Sequence, residues 1–401
     1  MGDRIDKIFD SFSNNTVFKN KLALQTNYTP DEIVHRDEYI KQIAAILAPS
    51  LRLEKPSNLF LYGKTGTGKT VSINYVKNHL MERAAKENVS LSILSINCKL
   101  RKVADTEYRI LAELLRQLGE NVPATGLPTD QLYHNFIKRI DNKKQLVIMV
   151  FDEIDKAVSN IGDEFLYNFT RLNSELTKTQ ISLIGISNDL YFLDNIDPRV
   201  RSSLSEEEIM FPPYDASQIQ DILTERAKEA FKIKIEEGVI AKCSAYAAKG
   251  HGDARRALDL LRIAGELAER DSKKVLTYDY IDKANEKIER DKTVDFVSSC
   301  PEQYKIVLHS IISLSETKES FFTSDVYSLY SVLCEKIKSE VRTQRRVGDI
   351  IREFELHGLI KFDIISRGRY GRTAEIKLSV YPHLIVKIKE IIKESLGLYG
   401  K

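Results

Sequence analysis

Apolar positions along the first half of the chain follow two patterns. Four short runs are apolar throughout or nearly so, and they predict buried strands of a parallel sheet at residues 59–62, 91–96, 146–151 and 181–187. Between these runs, apolar residues recur every three or four positions, which predicts amphipathic helices ending near residue 47, starting at 71, and covering 106–119 and 129–140. Strands alternating with helices predict an α/β domain with a parallel sheet covered on both faces.

The pattern changes after residue 213. Residues 215–290 have helical spacing throughout, and the charged stretch 286–292 is interpreted as a linker. Residues 295–401 begin with three amphipathic helices and continue with two strands at 359–365 and 373–378, which is typical of a winged helix-turn-helix. We therefore predict a flexible segment at 1–27, an α/β base at 28–213, an all-α lid at 214–292 and a winged helix domain at 295–401.

Composition adds few constraints. The 401 residues are 42% hydrophobic and 29% charged, and no apolar run approaches the ~20 residues of a membrane span, so we expect a cytoplasmic chain with no membrane partner. Four cysteines lie far apart without a C-x-x-C pair, which argues against structural zinc and a disulfide framework. Net charge is only +2, but residues 338–377 contain ten Lys or Arg against six Asp or Glu.

A glycine-rich loop lies between the first predicted strand and the helix after it. Its residues fill every position of the G-x-x-x-x-G-K-[ST] pattern: Gly63, Lys64, Thr65, Gly66, Thr67, Gly68, Lys69 and Thr70, with Val71 next in the helix. Backbone N–H groups of such a loop surround phosphates at the positive end of the helix dipole. Lys69 can reach the β- and γ-phosphates and Thr70 can bind Mg²⁺, so the chain is predicted to bind a nucleoside triphosphate.

Polar residues end the next two strands along the sheet. Asp152 and Glu153 follow the third strand, and Asn188 follows the fourth. In a doubly wound sheet this edge holds the ligand. We expect Asp152 to hold Mg²⁺ through water, Glu153 to polarise the attacking water and Asn188 to sense the γ-phosphate.

Other candidates are open to two interpretations. Tyr28, Val34 and Arg36 precede the first helix, where they pack against the nucleotide base or form only a surface approach to the helix. Arg199 and Arg201 precede the boundary at residue 213, where they project into a neighbouring subunit's site or form an ordinary surface pair. Arg255 lies near a helix N-terminus, where a cation gains nothing from the dipole, which suggests an anionic partner.

The basic residues of the winged helix region predict DNA binding. The third helix would enter a major groove and the hairpin tip a minor groove, and a protein-interaction module is the alternative. The candidate DNA-binding residues are Arg342, Thr343, Gln344, Arg345 and Arg346 in the helix, and Arg367, Arg369, Tyr370 and Arg372 in the tip.

The glycine-rich loop, the acidic strand end, Asn188 and a lid containing Gly252-Asp253-Ala254-Arg255 resemble the AAA+ ATPases. With the winged helix, residues 20–390 resemble the archaeal replication initiators, which are related to the largest subunit of the eukaryotic origin recognition complex and to its cell-division-control partner. This resemblance implies that Asn188 and Arg255 are the two sensors.

The same resemblance implies further roles. Tyr214 would line the adenine site, and Arg226 would reach the nucleotide from the same helix. The insertion at 99–119, including the candidates Lys99, Arg101 and Lys102, would contact DNA. Arg199 or Arg201 would act in trans, although many relatives have an arginine where this chain has Ser203.

The resulting hypothesis is an ATP-controlled switch, associated with the nucleoid, that binds duplex DNA at replication origins. It would help recruit the replicative helicase, act beside paralogous initiator subunits and hydrolyse ATP slowly, with ATP or ADP and Mg²⁺ as ligands. Two alternatives are a clamp-loader-like motor subunit, and a signalling P-loop ATPase whose winged helix is autoinhibitory.

Overall fold

The computed structural model describes residues 16–26, 28–99, 103–123, 126–204, 206–249, 252–366, 372–380 and 382–397. These residues divide into two compact units, one extending to Ile281 and the other beginning at Asp282. Each unit has its own hydrophobic core, and each is described separately.

The first unit begins with an α/β layer. Its elements are α1 Asp37–Leu47, β1 Asn58–Tyr62, α2 Lys69–Lys86, β2 Leu91–Asn97, α3 Glu107–Gln117, α4 Thr129–Ile140, β3 Gln145–Asp152, α5 Ile154–Ile161, α6 Glu164–Glu175, β4 Thr179–Ser187, α7 Pro198–Leu204 and β5 Glu206–Met210. The strands form one parallel sheet in the order β2-β3-β4-β1-β5. Clusters of buried apolar side chains cover both faces, as predicted for the base.

Strand β5 was not predicted from the sequence. It is an edge strand that pairs only with β1 among the described strands, and its Glu207 and Glu208 are exposed. Charged side chains protect an edge strand from further pairing, but they also remove the apolar signal used to recognise strands.

The lid follows in the same unit. Its elements are α8 Ala216–Ala230, β6 Lys234–Ile235, α9 Val239–Lys249, α10 Ala254–Arg270 and β7 Val275–Leu276, and the helix that follows, α11 Asp279–Ser299, begins in this unit and continues into the second. Asp215 caps α8 in a capping box with Gln218, and Asp253 caps α10. The predicted linker at 286–292 is wrong, because these residues lie within α11. Their charges suit an exposed helix as well as a loop.

The described part of the N-terminal segment also differs from the prediction. Residues 16–26 are packed on the lid, with a short 3₁₀ turn at Lys21–Leu24 in which Ala23 and Leu24 are fully buried. The lid residues against which this segment packs are distant from it in sequence. The local pattern therefore did not reveal the packing, and the polarity of the segment suggested that it was flexible.

The second unit continues with α12 Glu302–Ser315, β8 Phe321–Phe322, α13 Thr323–Ile337, α14 Gln344–Leu356, β9 Ile360–Ser366, β10 Arg372–Leu378 and α15 Pro382–Leu396. An antiparallel sheet in the order β8-β10-β9 joins the helices, and Val347, Ile350, Ile351 and Phe354 are buried as predicted. This is the predicted winged helix, with β8 and α15 as unpredicted additions. Helix α14 begins at Gln344 with Thr343 as its cap, so Arg342 and Thr343 precede the helix.

Candidate functional site

The glycine-rich loop between β1 and α2 has a conformation that only glycine adopts readily. Gly66 and Gly68 have φ angles of +78° and +92°. A Cβ atom on Gly66 would lie 1.8 Å from the Asp253 carboxylate of the lid, and one on Gly68 would lie 2.6 Å from the Tyr214 hydroxyl. The loop therefore packs against the lid at two points. A larger residue at Gly66 or Gly68 would push the loop and the lid apart.

Lys69 is the most buried cation of the loop, with 5% of its surface exposed. Its Nζ donates to the carbonyl oxygens of Gly63 and Lys64, at 2.5 and 2.9 Å, and to Asn188 Oδ1 at 3.0 Å. Burial, followed by repulsion from Arg255, lowers the pKa of Lys69 to about 8. The ammonium group is thus held at the sheet edge by carbonyl and amide oxygens, and the carboxylates of Asp152, Asp155 and Glu153 oppose the lowering of its pKa.

Thr70 and Asp152 meet at the start of α2. The Thr70 hydroxyl lies 3.3 and 3.2 Å from the two carboxylate oxygens of Asp152. Burial raises the pKa of Asp152, and the hydrogen bond from Thr70 opposes that rise. A hydroxyl and a carboxylate together supply the hard oxygen ligands that Mg²⁺ prefers, so the residues present fit this ion.

Glu153 has an unusual backbone conformation for a residue other than glycine, with φ at +56° before α5. Its carboxylate is 3.6 Å from Lys99 Nζ, a residue predicted to bind DNA. Asn188 is held from the other side, because its backbone N–H donates to Asp155 Oδ1 at 3.3 Å. Asp155 was missed in the sequence, where nothing distinguishes it from a surface carboxylate of α5.

A cavity of about 930 Å³ opens between the glycine-rich loop and the lid. The base domain lines it with Gly66 to Val71, Asp152 and Glu153, and the lid lines it with Tyr214, Arg226 and Arg255. Arg255 follows the Asp253 cap, whose side chain accepts the Arg255 N–H. The structure thus brings cations of the lid and base together around one space. Lys64 and Thr65 are exposed.

The N-terminal candidates separate into two groups. Tyr28 and Val34 line the cavity, and the guanidinium of Arg226 lies 4.8 Å from the Tyr28 ring centroid. Glu229 also lines it and accepts a hydrogen bond from the Tyr28 hydroxyl. Sequence reasoning missed Glu229, which follows Arg226 by three positions on α8 and so lies on the same face.

Arg36 is not among the described residues that line this cavity, contrary to its predicted contact with the nucleotide base. It is 2% exposed and stacks on Tyr214 at 3.7 Å. Its guanidinium donates to the carbonyl oxygens of Thr67 and Pro212, at 2.9 and 2.7 Å. Burial lowers the Arg36 pKa. The residue therefore ties the glycine-rich loop to the junction of base and lid.

Arg199 and Arg201 lie on α7, away from this cavity. Arg199 is exposed and pairs with Asp197 at 3.0 Å. Arg201 is half-exposed and lies 2.9 Å from Asp194, with Glu206 and Glu208 at 3.8 and 3.6 Å. Their predicted action on a neighbouring subunit stays a prediction.

In the second unit, Gln344, Arg345 and Arg346 are exposed on the first turn of α14. Arg342 pairs with Glu340 at 3.0 Å, and Arg346 donates to the Tyr304 hydroxyl at 3.3 Å. The backbone of Arg372 pairs with Ser366 at the loop end of the β9–β10 hairpin. Five candidates lie outside the described residues: Arg101, Lys102, Arg367, Arg369 and Tyr370.

The fold and the site together define an AAA+ ATPase with a helical lid and a winged helix domain. Residues 52–193 match an AAA domain, 220–286 the Cdc6 AAA+ ATPase-type lid domain and 295–388 the CDC6 C terminal winged helix domain. An ORC1-type DNA replication protein of Thermococcus onnurineus is 48% identical over 97% of this chain and 94% of its own length. The chain therefore belongs to the ORC1-type DNA replication protein family, and it is a replication initiator of the Orc1/Cdc6 type.

Two further relatives agree with this assignment. An ORC1-type DNA replication protein of Pyrococcus abyssi is 48% identical over 95% of this chain and 92% of its own length. The Aeropyrum pernix ORC1 protein, whose structure was solved in complex with DNA, is 39% identical with a TM-score of 0.79, covering 94% of this chain and 97% of that one. Among the described helices, none has the length and hydrophobicity needed to cross a bilayer.

Proposed function

We propose that this initiator is an ATP-controlled switch that binds origin duplex DNA and helps recruit the replicative helicase, with slow ATP hydrolysis ending the active state. The observation that carries the proposal is that two cations line the same cavity, Lys69 from the base domain and Arg255 from the lid. They are near enough for Arg255 to lower the pKa of Lys69. A triphosphate between these two cations would join base and lid. Loss of the γ-phosphate would weaken that connection.

The residues divide the work of the nucleotide site. Lys69 and the N–H groups of Gly66 to Thr70 would bind phosphates, and Asn188, which touches Lys69 at 3.0 Å, would orient the γ-phosphate. Thr70 and Asp152 would hold Mg²⁺, which would neutralise developing phosphate charge. Glu153 would accept a proton from the attacking water. Its carboxylate also lies 3.6 Å from Lys99 Nζ.

DNA binding is proposed for the exposed first turn of α14 and for the hairpin. Gln344 and Arg345 carry donors suited to base edges or phosphates, and they project from a helix whose opposite stripe is buried. The Aeropyrum pernix relative in complex with DNA supports this proposal. Origin DNA, the helicase and paralogous initiator subunits are thus the proposed partners, and association with the nucleoid is the proposed location.

A genome-wide map of where the protein binds DNA in its own cells tests this function. We expect a few sharp sites that coincide with the start points of replication. A flat profile, or one that travels with replication forks, would contradict the initiator proposal. The clamp-loader alternative has lost its support, because it requires a collar domain where residues 295–388 match a winged helix.

A further inference from the structure

Four exposed lysines lie at the amino-terminal edge of the sheet in the first unit, opposite the edge that carries the glycine-rich loop. They belong to the end of α4 and to the loops that lead into β3 and β4. None of them is among the described residues that line the nucleotide cavity. These residues, here called the edge platform, are Lys138, Lys143, Lys144 and Lys178.

Hydrogen bonds hold the two loops of the edge platform together. The Asp141 carboxylate accepts the backbone N–H groups of Thr177, Lys178 and Thr179 at 3.0, 2.8 and 2.8 Å, and the Thr177 hydroxyl at 2.7 Å. In the other direction, Thr179 Oγ1 donates to the Lys143 carbonyl at 3.2 Å. The two loops therefore form one surface, and the lysines project from a backbone that is fixed on both sides.

The same bonds leave the lysines without a carboxylate partner. Burial favours the neutral form of Asp141, but the hydrogen bonds from Thr177, Lys178 and Thr179 outweigh it and lower the pKa of Asp141 to about 2. Its oxygens are thus bonded to the loop backbone rather than to lysine. Arg139, on α4 beside the platform, does pair, with Glu120 at 3.4 Å.

Unpaired lysines are not the rule in this unit. Lys156 and Lys228 lie 3.6 and 2.7 Å from carboxylates on their own helices. Among the described residues, by contrast, no ion pair is formed by any lysine of the edge platform, and Glu175, at the end of α6, is the other carboxylate within three positions of one of them. Clustered cations repel one another, so this surface is suited to an anionic partner.

The edge platform lacks the apolar side chains that a protein partner would need. Among the described residues, no exposed large hydrophobic side chain lies in 138–144 or 176–179. Protein interfaces have an apolar or aromatic centre, whereas the DNA backbone is bound by cations alone. Arg139 also donates to the Leu118 carbonyl at 2.9 Å, which joins this surface to the insertion at 99–119. These observations favour duplex DNA over an acidic protein.

We propose that the edge platform binds the phosphate backbone of duplex DNA, as a contact of the base domain in addition to α14 and the hairpin. The inference rests on the proposed DNA binding and extends it to a second surface. Each lysine would neutralise about one phosphate, so the edge platform would add affinity without adding sequence preference. Because it lies at the edge opposite the glycine-rich loop, its loss should leave ATP affinity unchanged.

The test compares two variants of the full chain, each lacking two adjacent exposed lysines. Lys143→Ala/Lys144→Ala changes the edge platform, and Lys273→Ala/Lys274→Ala, in the lid, is the control for net charge. Fluorescence anisotropy with a long labelled duplex across a salt series gives the affinity and the slope of log affinity against log salt. The platform variant should bind about tenfold more weakly at low salt, with a slope reduced by about 1.8, since each phosphate contact contributes about 0.9. The control should keep the wild-type slope.

A second measurement does not depend on charge. A photoreactive side chain introduced at Lys143 should crosslink to the duplex, and one introduced at Lys274 should not. Equal slopes in the two double variants, or equal crosslinking at the two positions, would overturn the inference. A platform variant with unchanged DNA affinity would also overturn it and would leave an acidic protein as the partner to be sought. A wild-type chain that binds no duplex at any salt concentration would instead refute the proposed DNA binding itself.

Discussion

The cavity beside the glycine-rich loop and the exposed turn of α14 both carry cations for which we propose phosphate partners, but the two settings are opposite. Lys69 is 5% exposed, and its ammonium group is hydrogen-bonded to three oxygen atoms of the protein. Arg345 and Arg346 stand in solvent on the second unit. The first arrangement is preorganised in a low dielectric, whereas the second depends on screened charge at the surface.

This contrast predicts different responses to mutation. In a buried site, one group contributes much of the binding, because no water or neighbouring side chain can replace it. On an exposed DNA-binding face, each cation releases about one counterion and the contributions accumulate. Changes in the cavity should therefore act as near all-or-none effects, and changes on α14 should be graded and salt-dependent.

The largest effect is expected for Lys69→Ala. Removing the buried ammonium should lower ATP affinity by about 100-fold or more, because a charge-assisted contact to phosphate is lost in a site shielded from solvent. Calorimetric titration with MgATP measures this directly. Lys86→Ala, on the exposed end of the same helix, is the control and should bind normally. A loss below about fivefold would show that Lys69 is not the main phosphate ligand.

The second prediction separates binding from chemistry at the same cavity. Glu153→Gln keeps the size of the side chain but removes its basicity, so ATP affinity should persist while turnover falls about 100-fold or more. Phosphate release under saturating ATP is the measurement. Glu175→Gln, exposed on α6, should leave turnover unchanged. Unchanged turnover in Glu153→Gln would refute the assignment of Glu153 as the general base for the attacking water.

The same contrast explains how much the sequence could predict. Gly63 to Thr70 form one contiguous motif and Asp152 ends a strongly apolar strand, so local pattern sufficed to predict that these residues meet at one edge of the sheet. The buried stripe of α14 was equally local, since its four residues repeat at helical spacing.

Features that depend on distant partners were not predictable in this way. Arg36 is placed by Thr67, Pro212 and Tyr214, which no spacing rule connects to it. Residues 16–26 are held in place by α8 and α10, more than 200 residues later in the chain. The hydrogen bond that Asn20 donates to Glu229 is one example. A polar segment without periodicity carries no signal of such packing.

The third prediction uses the lowered pKa of Lys69. Its folded-state pKa of about 8 lies below the ordinary 10.5, and a bound polyphosphate favours the charged form, so binding above pH 8 must take up a proton. ATP affinity should be constant below pH 7 and fall by up to about tenfold per pH unit above 8. Calorimetry in buffers of different ionisation enthalpy counts the protons. Lys69→Arg stays charged and should lose this dependence, and equal proton uptake in both proteins would exclude Lys69 as its source.

The smallest effect is expected on the exposed face. Arg345→Ala should weaken duplex DNA binding only a few-fold at physiological salt, and it should reduce the slope of log affinity against log salt by about 0.9 if Arg345 contacts one phosphate. Fluorescence anisotropy across a salt series measures both quantities. Lys387→Ala, exposed on α15, removes the same charge from another face of the second unit and is the control. If Arg345→Ala and Lys387→Ala lower DNA affinity equally and change the slope of log affinity against log salt equally, Arg345 acts through net charge alone. A salt-independent loss for Arg345→Ala would instead indicate a base contact, and it would make this cation behave more like the buried Lys69 than its exposure suggests.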